Sequence, residues 1–151
     1  MSELLVLIGD DVSGSVRQDQ RGQLSFEYES EWRESSTAYP LSLSMPLNRR
    51  RHGDTVVRPF LEGLLPDNNA ILDAWAKRFQ VSARNPFALL AHMGEDCPGA
   101  VRFVQPERLE ELTKSDGGSI EWLGEDQIAE RLDELVLRQG VGRRPEDPGY
   151  F

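Results

Sequence analysis

One cysteine, two histidines and two lysines in 151 residues leave little from which to build catalytic chemistry. The lone cysteine, Cys97, excludes an internal disulfide. No apolar run approaches the roughly 20 residues that a membrane-spanning helix requires. No basic stretch backed by an apolar one opens the chain, as a secretory signal would. A soluble, cytoplasmic chain is the expectation. Phosphate-binding glycine patterns are missing too: there is no GxxxxGKS/T and no GxGxxG behind a strand. Gly53, Gly63, Gly117 and Gly118 are too scattered to cradle a phosphate. Lys77 and Lys114, the two lysines, stand in no setting suited to phosphoryl transfer, so the chain as it stands is not a complete kinase.

What is present is globular. The chain is 38% hydrophobic and 28% charged, with no low-complexity tract, and its length suits one domain that buries roughly two-thirds of its unfolded surface. Its net charge is −9 and unevenly placed: residues 95–151 hold 14 Asp and Glu against 7 Lys and Arg. Phosphate would repel that segment, so direct binding to nucleic acid is not expected.

Leu4 to Ile8 is an apolar run broken by Gly9-Asp10-Asp11, after which Val12, Gly14 and Val16 alternate with polar residues; this predicts a hairpin. Leu24, Phe26 and Tyr28 share one face of a third strand, and Leu41, Leu43 and Met45 predict a fourth. The period then changes. Pro59 suits the first position of a helix carrying Phe60, Leu61, Leu64 and Leu65 and stopped by Pro66. Asp67 or Asn68 caps a second helix with Ile71, Leu72, Trp75, Ala76 and Phe79 inward. Asn85-Pro86 opens a third lined by Phe87, Leu90 and Met93, with Gly94 suited to a left-handed residue after its end. Ala100 to Val104 reads as a strand, Ile120 to Leu123 as a short one, and Glu107 to Gly118 as loop with some helix. From Glu125 to Arg138, Ile128, Leu132, Leu135 and Val136 follow a helical repeat with acids in the first turn. The expected architecture is α+β: a small, mainly antiparallel sheet with helices packed on one side.

Few residues invite a chemical reading. Cys97 with His92 five residues earlier is the one conceivable nucleophile and base, weighed against an exposed histidine in a helix's last turn and a small buried cysteine. Glu95 and Asp96 are adjacent acids in a sharp bend, where carboxylates mostly bond local amides, and no second cluster completes a metal shell. Arg49-Arg50-Arg51-His52 reads as a solvated loop tip, or else as a contact for an anion or an acidic partner surface. Trp75 fits the core stripe, and Trp32 reads as a lid on the sheet or an interaction residue; Trp122 is a similar case. No catalytic, cofactor-binding or metal-binding residue is assigned.

The order of these features resembles the N-terminal subdomain of HipA-type serine/threonine kinase toxins. The resemblance rests on "LLVLIGDDVSGSV", "GQLSFEYESEW", "LSLSMPL", "RPFLEGLLPDN" and "FQVSARNPFALLAHMGEDCPGAV", from residue 4 to about 103. It implies a non-catalytic module, residues 1–139, with a linker of residues 140–151 toward an absent kinase core. In such proteins the full enzyme uses ATP and magnesium to phosphorylate a protein serine, plausibly on an aminoacyl-tRNA synthetase, arresting growth and producing persistence. A HipB-type helix-turn-helix antitoxin neutralises it, so DNA is met only through that partner. The family's phosphate loop and catalytic aspartates lie C-terminal to this unit, leaving this chain inactive by itself. The alternative is a free-standing subdomain that inhibits a separate short kinase in trans. Apolar stripes on three helices exceed what one small sheet covers, so some exposed apolar surface, and self-association, are expected.

Overall fold

The computed structural model describes residues 2–96, 100–109 and 122–137 and divides the chain into two compact units, Met1–Ser115 and Asp116–Phe151. In the first unit the elements run β1 (Ser2–Ile8), β2 (Asp11–Gln18), β3 (Leu24–Tyr28), α1 (Ser30–Glu34), β4 (Arg51–Gly53), α2 (Asp54–Glu62), α3 (Asn69–Phe79), α4 (Pro86–Met93) and β5 (Val101–Val104). The five strands form one antiparallel sheet in the order β4-β3-β2-β1-β5. The α+β class read from the sequence is the one found.

The hairpin of β1 and β2 forms where Gly9, at φ +64°, takes the first corner of the turn. Its alternation is broken by a bulge at Ser13. Gly14 and Val16 pair with Val6 and Leu4, whereas Val12 pairs with Leu7 and so belongs to the other face. The buried Ser13 hydroxyl donates to the Val6 carbonyl at 2.9 Å, satisfying the irregularity from within. At the next turn one Asp19 carboxylate oxygen accepts from the amides of Arg21 and Gln23, both at 2.8 Å, the pattern that makes aspartate a turn former.

One face of the sheet carries the core. Leu4, Val6, Val16, Leu24, Phe26, Tyr28 and Phe103 meet Val57 and Leu61 of α2 and Phe87 and Leu90 of α4 in one buried cluster. Each such side chain contributes about 1.5–3 kcal/mol by leaving water. Gly14 lies where a Cβ would strike the Phe26 ring, so only glycine lets that ring settle over β2.

Three helix readings changed. Helix α2 begins at Asp54, five residues before Pro59, because the β-branched run Thr55-Val56-Val57 that looks extended is helical here; Pro59 sits inside it. It ends at Glu62, so Gly63 and not Pro66 marks its close. Helix α4 starts as expected, with the Asn85 side chain accepting from the Ala88 amide at 3.2 Å and Pro86 in the first turn. Gly94, however, is right-handed at φ −68° and opens a short 3-10 turn through Asp96. Glycine is needed there for space: a Cβ would lie 2.5 Å from the Phe103 Cβ and 2.8 Å from its carbonyl oxygen. The left-handed residue is instead Gln80, at φ 56°, which closes α3; Asn68 caps that helix by accepting from the Ala70 amide at 2.9 Å.

In the second unit α5 (Glu125–Leu137) occupies the predicted place, with Glu125 and Asp126 in its first turn. Gln127 accepts from the Gly124 amide at 2.9 Å, securing the start. Trp122 to Gly124 are not strand. Ile120, most of Glu107 to Gly118 and the expected linker 140–151 lie outside the described residues.

Two substitutions test these packing statements. Gly94→Ala is expected to cost about 1–3 kcal/mol by forcing the turn away from β5. Gln80→Gly is expected to gain about 0.5–1 kcal/mol by relieving a left-handed side-chain residue. Urea denaturation followed by circular dichroism reads both.

Candidate functional site

The most heavily built local structure surrounds Tyr28, at the end of β3. Its hydroxyl donates to the Met45 carbonyl at 2.6 Å and accepts from the Leu41 amide at 2.7 Å. Both ends of the Leu41–Met45 stretch are thereby tied to the sheet. The predicted fourth strand is therefore a tight turn: the Met45 amide donates to the Ser42 carbonyl at 2.9 Å, the Ser42 and Ser44 hydroxyls bond at 3.0 Å, and Ser42 and Met45 form an isolated bridge. Met45 is fully buried and Leu43 stands out at 95% exposure. Burial raises the Tyr28 phenol above its ordinary range, against the opposing pull of the Leu41 amide, so the hydroxyl keeps the proton it donates.

The fourth strand comes from the basic run. Arg51 to Gly53 form β4, the edge of the sheet, so the loop-tip reading holds for the exposed Arg49 and Arg50 and fails for Arg51 and His52. His52 is buried among aromatic rings, stacked on Phe26 at 6.3 Å and edge-on to Tyr28 at 5.6 Å, with Nε2 3.1 Å from the Arg49 carbonyl oxygen. The end of the run becomes a strand beside Glu27, on β3, which gathers cations: Arg50 and Arg51 each reach it at 2.8 Å, and Arg17 of β2 at 3.4 Å. Burial alone would raise the Glu27 carboxyl; the Arg51 hydrogen bond and the charges of Arg51, Arg50 and Arg17 outweigh it and hold the group below its ordinary range. Beside it Asp54 is lowered chiefly by the hydrogen bond from Arg58, with the Leu24 amide at 2.8 Å adding to the effect against burial. That carboxylate accepts where a carbonyl of β4 would have stood had the chain not turned into α2.

A cleft of about 350 Å³ opens beside this edge, lined by Ser44, Pro46, Arg49, Arg51, Gly53 and Thr55 among others. A second, of about 660 Å³, is lined by Gln18, Phe87, Ala91, His92 and Gln105 among others.

The residues singled out for chemistry do not assemble into a centre. His92 is exposed in the last turn of α4 and lies flat on Phe79, ring centres 4.6 Å apart; Cys97 lies outside the described residues. Glu95 pairs with Arg108 at 2.9 Å, so this acid ties the bend to the turn after β5. Among the described residues no three His, Cys, Asp or Glu side chains gather as metal ligands. Trp32 is the packed lid, buried, with its indole N–H donating to the Tyr39 carbonyl at 3.3 Å. Trp75 is buried as the stripe requires, its N–H unpartnered among the described residues, and Trp122 is exposed. The expected exposed apolar surface is found in two places: Leu43 and Tyr39 in the turn region of the first unit, and Ile128 and Leu132 on the helix stripe of α5 in the second. Sequence reasoning missed the Tyr28 clamp, whose only signal is a tyrosine at a strand end followed by a polar loop.

Tyr28→Phe strands the Leu41 amide and Met45 carbonyl and is expected to cost about 1–3 kcal/mol. The pH response has a definite sign. Glu27 and Asp54 have lowered folded values, so their stabilisation is complete above the ordinary carboxylate range near pH 4 and is lost as pH falls through the folded values. Glu27→Gln is expected to lower the urea midpoint at pH 7 and to flatten its decline between about pH 4 and pH 2.

Comparison with known proteins supplies the remaining context. The family described as the HipA N-terminal domain matches residues 4–104. Protein Y4mE of Sinorhizobium fredii is 35% identical over 97 residues, covering 64% of this chain and 23% of that protein. The serine/threonine-protein kinase toxin HipA of Shewanella oneidensis is 35% identical over 92 residues, 55% of this chain and 20% of that one. The chain thus spans about a fifth of the curated relatives it matches. Among solved structures, the Shewanella oneidensis HipA, HipB and operator DNA complex matches with TM-score 0.60 and 27% identity over 81% of this chain and 32% of that one. A structure of the N-terminal domain of HipA toxin matches with TM-score 0.52 and 22% identity over 72% and 95% respectively, which supports the fold. With two-thirds of its residues inside that family match and its sheet in the matching fold, the chain belongs to the HipA N-terminal domain family.

Proposed function

We propose that this chain serves as the non-catalytic N-terminal module of a HipA-like serine/threonine kinase toxin in a toxin–antitoxin system. The observation that carries this reading is the unbroken family match over residues 4–104, which in its relatives occupies a minor share of a much longer protein. In the reading, the module packs on a kinase core that supplies the ATP and magnesium chemistry and phosphorylates a protein serine. A HipB-type antitoxin is the second partner, supported by the solved complex of HipA with HipB and operator DNA, and DNA is met through that antitoxin. The relatives matched are long proteins, which favours the module over a separately encoded inhibitor. Among the described residues no helix is long and apolar enough to cross a membrane.

The test uses the purified chain with and without the kinase core from its own genome. Alone with magnesium and ATP it is expected to move no phosphate to itself or to a protein substrate. Co-expressed with the kinase core, it is expected to co-purify at one-to-one stoichiometry. Magnesium-dependent transfer by the chain alone would contradict the non-catalytic reading, and failure to co-purify would contradict the docking one.

A further inference from the structure

Leu43 projects from a turn that Tyr28 holds at both ends, so its 95% exposure is imposed by the surrounding hydrogen bonds. An apolar side chain fixed in that way is ready to be covered without further ordering. The next residue, Ser44, lines the 350 Å³ cleft, with Arg49 on its wall. Arg49 is exposed, and its guanidinium makes no ion pair or hydrogen bond among the described residues. Around it positive charge is concentrated in a chain of net −9: Arg17, Arg50 and Arg51 share Glu3 and Glu27, and Arg49 adds a fourth cation.

The backbone of this edge is open as well. The Tyr28 amide donates to the Arg50 carbonyl at 2.9 Å, and Glu27 and Ser25 are opposite Arg51 and Gly53. Antiparallel alternation then turns the main-chain N–H groups of Arg51 and Gly53 away from β3. Gly53 is exposed with φ −96°, and a Cβ there would meet nothing within 4 Å. Neither backbone conformation nor crowding within the chain asks for glycine. Ser, Asp or Asn would also cap α2 better. A bare residue on a strand edge is the form that admits another backbone at close range.

We infer that Leu43, Arg49 and the outer edge of β4 together receive an extended segment of a partner protein, one carrying carboxylates beside an apolar side chain. The segment pairs with the outward-pointing N–H groups of Arg51 and Gly53, which have no partner among the described residues, sets a carboxylate on Arg49 and covers Leu43. The strand offers only three residues, so the side chains carry selectivity and the main chain sets direction. The inference stands on this surface alone and is independent of the kinase reading.

A phage-displayed library of random twelve-residue peptides, selected on the full chain and depleted on a Leu43→Ala/Arg49→Glu double variant, tests it. The expected winners alternate Asp or Glu with apolar residues. Synthesised, they are expected to bind at least about tenfold more weakly to Leu43→Ala and to Arg49→Glu, while perturbing the Arg51 and Gly53 amide resonances of the parent chain. Both side chains are exposed, and circular dichroism with urea midpoints confirms that the variants remain folded. Enrichment of basic peptides, binding indifferent to both substitutions, resonance changes away from β4, or no enrichment each overturn the inference. So does a homodimer abolished by Leu43→Ala, which would assign the strip to a second copy, or duplex DNA that binds there.

Discussion

The hydroxyl of Tyr28 joins parts of the chain that no continuous ladder connects. Residues 35–50 run between α1 and β4 with little regular structure, a length at which closing entropy and unpaired backbone groups both count against a fixed conformation. One phenol meets two of those backbone groups at once, while Trp32 takes the Tyr39 carbonyl and the Arg33 guanidinium donates to the Leu47 carbonyl at 2.9 Å. Burying Met45 becomes possible only with its carbonyl satisfied, and His52 then has two rings to lie against. Core, turn and edge strand depend on that contact in sequence.

Electrostatics extends the arrangement to the sheet edge. Adjacent arginines entering an edge strand would repel one another, and Glu27 offsets this by facing Arg50 and Arg51 from the neighbouring strand at 16% side-chain exposure. Solvent screening limits what any one of these exposed arginines contributes, so their effect is better understood as placement than as stability. Asp54 has a comparable role at the following residue, standing in for a strand carbonyl toward Leu24 while receiving Arg58 at 2.8 Å.

What the sequence made legible were features with local physical causes. Alternating Leu24, Phe26 and Tyr28, the caps Asn68 and Asn85, and the long period of α5 all emerged at or near their predicted places. The failures were tertiary in origin. Ser42 to Met45 has the alternation of a strand, but a tyrosine 14 residues earlier fixes it as a turn. Arg51, at the end of the arginine run, has the composition of a loop until Glu27 is placed opposite. Gly94 suits a left-handed cap by position, whereas Phe103, nine residues on, requires its smallness instead. The surface around Leu43 was hidden for the same reason, since an apolar residue in a strand pattern is ordinarily assigned inward.

Strand β4 passes into α2 with no intervening loop: Gly53 is the last residue of one and Asp54 the first of the other. Such a joint has no slack. Any displacement of the sheet's outer edge is carried along the helix as a rigid lever to Val57 and Leu61, both without solvent exposure in the core of the first unit. Load placed on the rim is therefore borne by the interior.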